Sequence, residues 1–159
     1  MTVAPRLSIS VFKRIARPLE VVREHFADVR HHAEQRVHQH VRFHVMGVNH
    51  PCRYRQTTRI AGFSIDEELV LTHEADGTIT NEVVSGPNAG GRLVDRFTAD
   101  GGSATRVEVT LEVVLPGARR LLRPLLRVVL RRLLERALEE DRIDLEARGY
   151  TPSLARVPA

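Results

Sequence analysis

The C-terminal segment PGARRLLRPLLRVVLRRLLERALEEDRIDLEAR, residues 116–148, is the feature that most constrains the fold. Its leucine, valine and alanine residues recur as adjacent pairs every four positions, which gives a broad apolar stripe along one helix. Proline is tolerated in a first helical turn, so Pro124 predicts a regular helix that begins near residues 121–123, and Gly149 ends it. A helix of about 25 residues is roughly 37 Å long. Such a helix needs a large apolar surface to pack against.

Length and composition indicate a single soluble domain. The chain has 159 residues, of which 42% are hydrophobic and 28% charged, and we expect one domain over 1–150 with a tail over 151–159. The apolar runs are too short to span a bilayer, and the first residues lack the apolar segment of a signal peptide. A single cysteine, Cys52, excludes an internal disulfide framework and favours a cytoplasmic setting. Aromatic residues are sparse and the net charge is only +4, so we expect no nucleic-acid partner.

The residues before the long helix predict one strand, two helices and six further strands. Leu7–Ala16 alternates as a strand, Pro18 begins a helix that runs to Val29, and 28–35 forms a second short helix or a turn. Alternating patterns then predict strands at 36–46, 52–61, 63–73, 78–85, 92–98 and 104–115. Glycine-containing turns separate them at 47–51, 75–77, 86–91 and 99–103.

The segment ARPLEVVREHFADV at 16–29 is similar to the Pro-x-x-x-Val…Asp first helix of the START-like or Bet v 1-like superfamily. That superfamily includes polyketide cyclases and lipid-transfer proteins. The meander from 36 to 115 and the terminal helix fit the same pattern, although no diagnostic catalytic motif accompanies them. The resemblance implies an α+β helix-grip fold, in which a curved antiparallel sheet of about seven strands wraps a long C-terminal helix. It also implies two short helices after the first strand and an apolar ligand cavity.

Physical arguments lead to the same cavity. A sheet with one apolar face must bury that face, and curvature away from the helix opens a pocket of several hundred Å3. We therefore predict a protein that binds or transports a hydrophobic small molecule, such as a lipid, a sterol-like compound or a polyketide, without a cofactor. The residues that we expect to line the cavity are Tyr54, Gln56, Phe97, Val109, Leu111, Leu126, Val129 and Leu133.

An enzymatic alternative uses the same cavity. A polyketide cyclase or dehydratase needs a general acid or base among its lining residues. Tyr54 and His73 are the candidates, and Glu67 and Asp95 are also possible. In the opposing interpretation, Tyr54 bonds to neighbouring side chains and the carboxylates pair with arginines on the outside.

The eight histidines suggest a second alternative, a metal-dependent hydrolase. His38 and His40 share one face of the strand predicted at 36–46, a spacing that can chelate a metal, and His31 or His32 would supply a third ligand. The valines and phenylalanine of this strand point the other way and form the more natural core face. The main interpretation therefore places His38 and His40 on the outer surface and expects no metal.

Arginine occupies the polar face of the terminal helix, at 119, 120, 123, 127, 131, 132 and 136. The simpler interpretation is a solvated face, in which glutamates and Asp141 form ion pairs with some of these arginines. The functional interpretation is peripheral contact with an anionic membrane or an acidic carrier protein. The GPNAGG loop at 86–91 leads into a strand and lacks the Lys-Ser/Thr ending of a phosphate loop, so we expect a flexible rim at the cavity mouth.

Overall fold

The computed structural model describes residues 5–47 and 51–153. Within these ranges, seven strands form one antiparallel sheet in the order β1-β7-β6-β5-β4-β3-β2. Most of the turn predicted at 47–51, and residues 154–159 of the predicted tail, lie outside the described residues. The start of that tail packs on the domain, because Ser153 is buried and its backbone N–H donates to Asp28.

The order of elements agrees with the prediction of one strand, two helices, six strands and a long helix. The strands are β1 (Arg6–Ile15), β2 (Val41–Gly47), β3 (Cys52–Ile60), β4 (Phe63–His73), β5 (Ile79–Ser85), β6 (Arg92–Ala99) and β7 (Thr105–Val114). The helices are α1 (Leu19–Ala27), α2 (Val29–Gln35) and α3 (Arg123–Ile143). A 3-10 turn, Gly117–Leu122, precedes α3, and a π-helical turn, Asp144–Arg148, follows it.

Topology places the two short helices across the molecule. β1 and β2 form opposite edges of the sheet, although they are consecutive strands in the chain. The segment that contains α1 and α2 must therefore cross from one edge to the other. This crossing brings α1 and α2 to the C-terminal part of the long helix, where Val22 joins Leu138 and Leu145 in one buried cluster.

Asp28 organises the junction between α1 and α2. Its carboxylate accepts a hydrogen bond from the backbone N–H of His31 at 2.9 Å, which caps the N-terminus of α2. The same carboxylate accepts bonds from Tyr150 and Ser153. α2 ends at Arg36, whose backbone has a φ of 50°, in the left-handed region.

β2 is shorter than the sequence predicts, and this changes the position of the histidines. The strand begins at Val41 rather than Arg36, because α2 extends to Gln35 and the chain turns before pairing begins. Alternation holds from Val41 onwards, where His44 is exposed and Phe43 is half-buried. It does not extend to residues 37–40, so the prediction that His38 and His40 share one strand face is wrong.

The long helix is most deeply buried in its C-terminal half. Leu138, in the C-terminal half, is 2% exposed, and it packs with valines of β1 and β7. Leu121 and Leu125, at the other end, are 84% and 62% exposed. The apolar stripe is therefore continuous in sequence, but the sheet and the short helices cover mainly its second half.

Candidate functional site

A cavity of about 220 Å3 lies between the inner face of the sheet and α3. It is partly open to solvent and its wall is mainly apolar. The sheet contributes apolar side chains such as Val83 and Val109, and the helix contributes Leu130, Leu133 and Leu134. The volume is below the several hundred Å3 that we predicted, because Tyr54, Phe43 and other large side chains fill part of the space.

The predicted lining residues divide into two groups. Tyr54, Gln56, Val109, Leu111 and Leu133 line the cavity. Phe97, Leu126 and Val129 lie elsewhere: Phe97 packs with Phe26 between two core clusters, and Leu126 packs against the β1–β7 cluster. Val129 is half-buried on α3 and is not part of the cavity wall.

His73 lies away from the cavity. It is the exposed last residue of β4, and it borders a second, more open groove that contains Glu20, Arg23 and Glu24. This groove has a volume of about 650 Å3 but a more polar wall, which makes it a poor site for an apolar ligand. The structure therefore separates His73 from Tyr54, the other candidate acid or base.

Three polar side chains form a hydrogen-bonded chain on the sheet side of the cavity. The Tyr54 hydroxyl donates to Asn81 Oδ1 at 2.9 Å, and Asn81 Nδ2 donates to Asp95 Oδ2 at 3.4 Å. All three residues are buried, and they lie on adjacent parts of strands β3, β5 and β6. The second carboxyl oxygen of Asp95, Oδ1, has no hydrogen-bond partner among the described residues.

Burial keeps this chain uncharged at neutral pH. Burial, reinforced by the charge of Asp141, raises the pKa of Asp95 to about 8. Burial also raises the pKa of Tyr54, and the nearby Asp95 adds to that effect. The cavity floor thus presents a neutral carboxylic acid that can donate or accept a proton near physiological pH.

A second carboxyl group, Glu67, lies near the GPNAGG loop. Asn88 of this loop donates to Glu67 Oε1 at 2.6 Å, and both side chains line the cavity. Burial raises the pKa of Glu67, although the bonds from Asn88 oppose this shift. Gly86 adopts a φ of +111° in contact with the backbone at Asp66 and Glu67, where a side chain has no room. The loop therefore contributes Asn88 to the cavity wall, and the flexibility expected of this rim stays a prediction.

A buried cluster of histidines and aspartates, which the sequence did not predict, borders the cavity beside α2 and the C-terminal end of α3. His32 and His38 line the cavity together with Asp141 of α3. His32 Nε2 lies 3.2 Å from Asp141 Oδ1, and His38 Nε2 lies 3.4 Å from the same oxygen. We use the name His–Asp cluster for six residues: His25, His31, His32, His38, Asp141 and Asp144.

His25, His31 and Asp144 complete the His–Asp cluster behind the cavity wall. Asp144 Oδ2 lies 3.0 Å from His25 Nε2 and 2.6 Å from His31 Nε2. Asp141 and Asp144 are three residues apart, so they project from the same side of the helix end. The break between α1 and α2 at Asp28 turns His31 and His32 toward that side.

Electrostatics within the His–Asp cluster favour negative aspartates. Burial alone would raise the pKa values of Asp141 and Asp144, but contacts with the histidines outweigh burial and lower both. For the histidines, burial acts in the other direction and lowers the pKa, as it does for His25. For His32, the contact with Asp141 outweighs burial and the pKa rises. Two histidines in one cluster thus respond in opposite directions, according to their partners.

The structure corrects the interpretation of the histidines. We expected His38 and His40 on the outer surface, but His38 is buried in the His–Asp cluster. His40 is only half-buried, and its backbone carbonyl accepts from Arg59. The two side chains therefore differ in burial, and neither of the two possible donor sets among the described residues contains them. The sequence does place His25, His31 and His32 on the helical segment that precedes the strands. Alternation along a strand gives no information about the direction of such side chains.

Comparison with known proteins identifies the fold. No protein-family model matches the chain, and no curated protein matches it. Among solved structures, it is similar to TTHA0849 from Thermus thermophilus, with 18% identity and a TM-score of 0.79 over 91% of this chain and 100% of that one. It is also similar to the Zhui aromatase/cyclase from Streptomyces sp. R1128, with 17% identity and a TM-score of 0.75 over 92% and 100%.

A third similar structure is a START superfamily protein from Mycobacterium smegmatis, with 18% identity and a TM-score of 0.70 over 87% of this chain and 98% of that one. Together these similarities define the class of structure: the chain has the START-like, Bet v 1-like helix-grip fold. The predicted fold class is confirmed. No helix in the described part of the chain is long and apolar enough to cross a membrane.

Proposed function

We propose that this protein binds a compact apolar small molecule in the cavity between the sheet and α3. The observation that carries the proposal is the cavity itself, an apolar recess with a few convergent polar groups at one end of its floor. Its volume of about 220 Å3 favours a compact, ring-containing molecule such as a cyclised polyketide over an extended lipid chain. The similarity to an aromatase/cyclase supports the same ligand class.

Polar groups on the floor would orient this ligand. Tyr54, Asn81 and Asp95 already bond to one another, and the remaining oxygen of Asp95 has no partner in the described residues. Because Asp95 is neutral at pH 7, its carboxylic acid can donate a hydrogen bond to a ligand carbonyl. The ligand would thus be held by apolar contact along its length and by one polar contact at its end.

Fluorescence of N-phenyl-1-naphthylamine tests cavity binding. Val83 and Val84 are neighbours on β5, but Val83 is buried in the cavity wall whereas Val84 is 44% exposed on the other face. We expect Val83→Phe to fill the cavity and weaken probe binding at least tenfold, and Val84→Phe to bind like the wild type. Circular dichroism verifies that both variants are folded. Equal binding by all three proteins would place the probe elsewhere and contradict the proposal.

A second candidate function, a polyketide cyclase or dehydratase, is favoured by one specific observation: a neutral, buried carboxylic acid faces the ligand space. In a ring closure, Asp95 would donate its proton to the carbonyl oxygen that becomes a hydroxyl, and the resulting carboxylate would accept the proton that the nucleophilic carbon loses as the carbon–carbon bond forms. In a dehydration, Asp95 would protonate the hydroxyl, which departs as water, and would then accept the proton lost from the adjacent carbon as the double bond forms. General acids of this kind contribute about 10²–10⁴-fold to a rate.

Incubation with a linear poly-β-ketone thioester tests this second function. We expect ring-closed product from the wild type, and at least a hundredfold less from Asp95→Asn. Tyr54→Phe would show whether the phenol also takes part. Asp66→Asn, at an exposed residue of β4, is the control. Product formation by Asp95→Asn at the wild-type rate would exclude Asp95 as the acid, and no product from the wild type would leave ligand binding as the function.

We also propose that the N-terminal half of the long helix, together with the 3-10 turn before it, contacts an anionic membrane. Leu121, Leu122, Leu125 and Val128 are exposed there, alongside arginines. Arg120, Arg123 and Arg127 form no ion pair within the described residues, whereas Arg131 and Arg136 pair with glutamates. Exposed leucines beside unpaired arginines are typical of a helix that lies at a membrane interface. Contact with an acidic carrier protein would use the arginines but not the leucines.

Co-sedimentation with vesicles tests this contact. We expect binding to phosphatidylglycerol vesicles but not to phosphatidylcholine vesicles, and loss of binding in the double variant Leu121→Ser, Leu125→Ser. Val84→Ser, at an exposed valine of the sheet, is the control. Absence of vesicle binding would contradict the membrane contact, and arginine-dependent binding to an acidic carrier protein alone would reassign the surface.

Two broader expectations remain proposals. We propose that residues 1–150 form one domain, on which Ser153 also packs. We also propose a cytoplasmic location, because the single free thiol, Cys52, suits a reducing compartment.

A further inference from the structure

The His–Asp cluster gathers buried ionisable groups for which the proposed ligand binding has no use. Four histidines and two aspartates lie within one buried region, and every one of these six side chains is less than 9% exposed. Neither ligand binding at the apolar wall nor the acid chemistry of Asp95 uses them. Buried ionisable groups are costly unless they are paired or coordinate a metal.

We propose that His25, His32 and Asp141 bind one divalent first-row transition-metal ion at the end of the cavity. Two imidazoles and a carboxylate are donors that zinc and iron(II) both accept. One ligand atom from each residue lies within 4.8 Å of the other two. Donors bound tetrahedrally at about 2.0–2.1 Å lie about 3.3 Å apart, so small side-chain rotations complete the site.

Hydrogen bonds around His32 prepare one of its ring nitrogens for a metal. His32 Nδ1 lies 2.8 Å from the backbone carbonyl oxygen of Asp28. A carbonyl oxygen only accepts, so Nδ1 carries the hydrogen. The other nitrogen, Nε2, lies 3.2 Å from Asp141 Oδ1 and, in the neutral ring, is an acceptor like that oxygen. Two acceptors that face each other at this distance need either a proton or a cation between them.

His25 shows the supporting arrangement that metal-binding histidines usually have. Its Nε2 lies 3.0 Å from the carboxylate of Asp144, which fixes the orientation of the ring. Its Nδ1 is buried and has no hydrogen-bond partner among the described residues. His25 therefore keeps one buried ring nitrogen that no hydrogen bond among the described residues occupies.

A second possible set of donors, His25, His31 and Asp144, shares His25 with the first. We assign the ion to His32 and Asp141 because both line the cavity, whereas His31 and Asp144 lie behind its wall. An ion held there would have an open coordination position toward the bound molecule. Such an ion acts as a Lewis acid on a carbonyl oxygen, or lowers the pKa of a bound water. His31 and Asp144 would then be positioning residues.

Zinc titration by calorimetry tests the proposal on protein that has been stripped with EDTA and dialysed. We expect one zinc ion per chain in the wild type, and at least a hundredfold weaker binding in His32→Gln and in Asp141→Asn. His44→Gln, at an exposed histidine of β2, is the matched control and should bind zinc like the wild type. Metal analysis of protein purified without chelators would name the natural ion.

Nuclear magnetic resonance of the wild type gives a test that needs no variant, so it does not depend on whether a variant folds. Zinc should shift the ring nitrogen resonances of His25 and His32, and leave those of His44 unchanged. The absence of saturable zinc binding in the stripped wild type would overturn the proposal, as would undiminished binding in both His32→Gln and Asp141→Asn. Loss of binding in His31→Gln but not in His32→Gln would move the ion to the second set and overturn our assignment. None of these readouts depends on the ligand proposed for the cavity.

Discussion

At the scale of single residues, the polar groups of the cavity depend on their burial. Asp95 is 3% exposed and lies opposite Val109 on the neighbouring strand, in a wall that is otherwise mainly apolar. An ionised carboxylate is poorly solvated there, so the neutral acid is favoured and its pKa rises to about 8. This shift links the chemistry of the cavity to the stability of the fold.

Asp95→Asn tests that link through the pH dependence of stability. Between pH 3.8, the ordinary pKa, and about pH 8, the folded protein holds a proton that the unfolded chain releases. The free energy of unfolding contributed by Asp95 therefore falls as pH rises, by about 1.4 kcal/mol per pH unit. Asn81 can still donate to the asparagine, which does not titrate.

We expect the asparagine variant to gain stability relative to the wild type as pH rises from 5 to 8. Urea unfolding at several pH values, with EDTA present throughout, measures the difference. Because the other titrating groups are common to both proteins, most of their effects cancel. A difference that does not change with pH would mean that Asp95 is ionised in the folded protein.

Alternation along strands predicted some of the site residues but not others. Tyr54 and Gln56 were assigned to the inner face from the pattern of β3 alone, and both line the cavity. The His–Asp cluster was beyond this reasoning for two reasons. His38 precedes the start of β2, where alternation fails, and the aspartate partners lie more than 100 residues away in the chain. Contacts at such separations follow from the fold, not from local pattern.

At the scale of elements, the two halves of α3 differ in what they pack against. The C-terminal half packs on β1, α1 and the cavity, while the N-terminal half and the preceding 3-10 turn expose leucines. The sequence predicted the start of the helix from Pro124, and the strand Phe63–His73 with its observed bounds. It did not predict which half of the apolar stripe would be covered, because that depends on how far the sheet extends beneath the helix.

Two matched leucine substitutions on α3 test this difference. Leu138→Ala removes a side chain that is 2% exposed and should cost about 2–5 kcal/mol in the free energy of unfolding. Leu125→Ala removes a side chain that is 62% exposed and should change stability by less than about 0.5 kcal/mol. Urea denaturation measures both. Similar losses in the two variants would show that the N-terminal half of the helix is buried in solution.

At the scale of the whole molecule, the fold brings two groups of polar side chains to the wall of one cavity. The sheet supplies the Tyr54–Asn81–Asp95 chain, and the crossing segment α1–α2 meets the end of α3 at the His–Asp cluster. The order of elements and the resemblance in the first helix were sufficient to predict the helix-grip architecture. Cavity volume was not predictable, because it depends on the curvature of the sheet and on how the large side chains pack.

Methyl nuclear magnetic resonance of the whole protein, titrated with N-phenyl-1-naphthylamine, tests the central claim most directly because it locates the bound molecule. We predict saturable shifts at the methyl groups of Val83, Val109 and Leu133, and none at Val84 or Leu125. That result would place a small apolar molecule between the sheet and the long helix. Shifts confined to the exposed leucines of the helix, or no saturable shift at any cavity methyl group, would contradict the account.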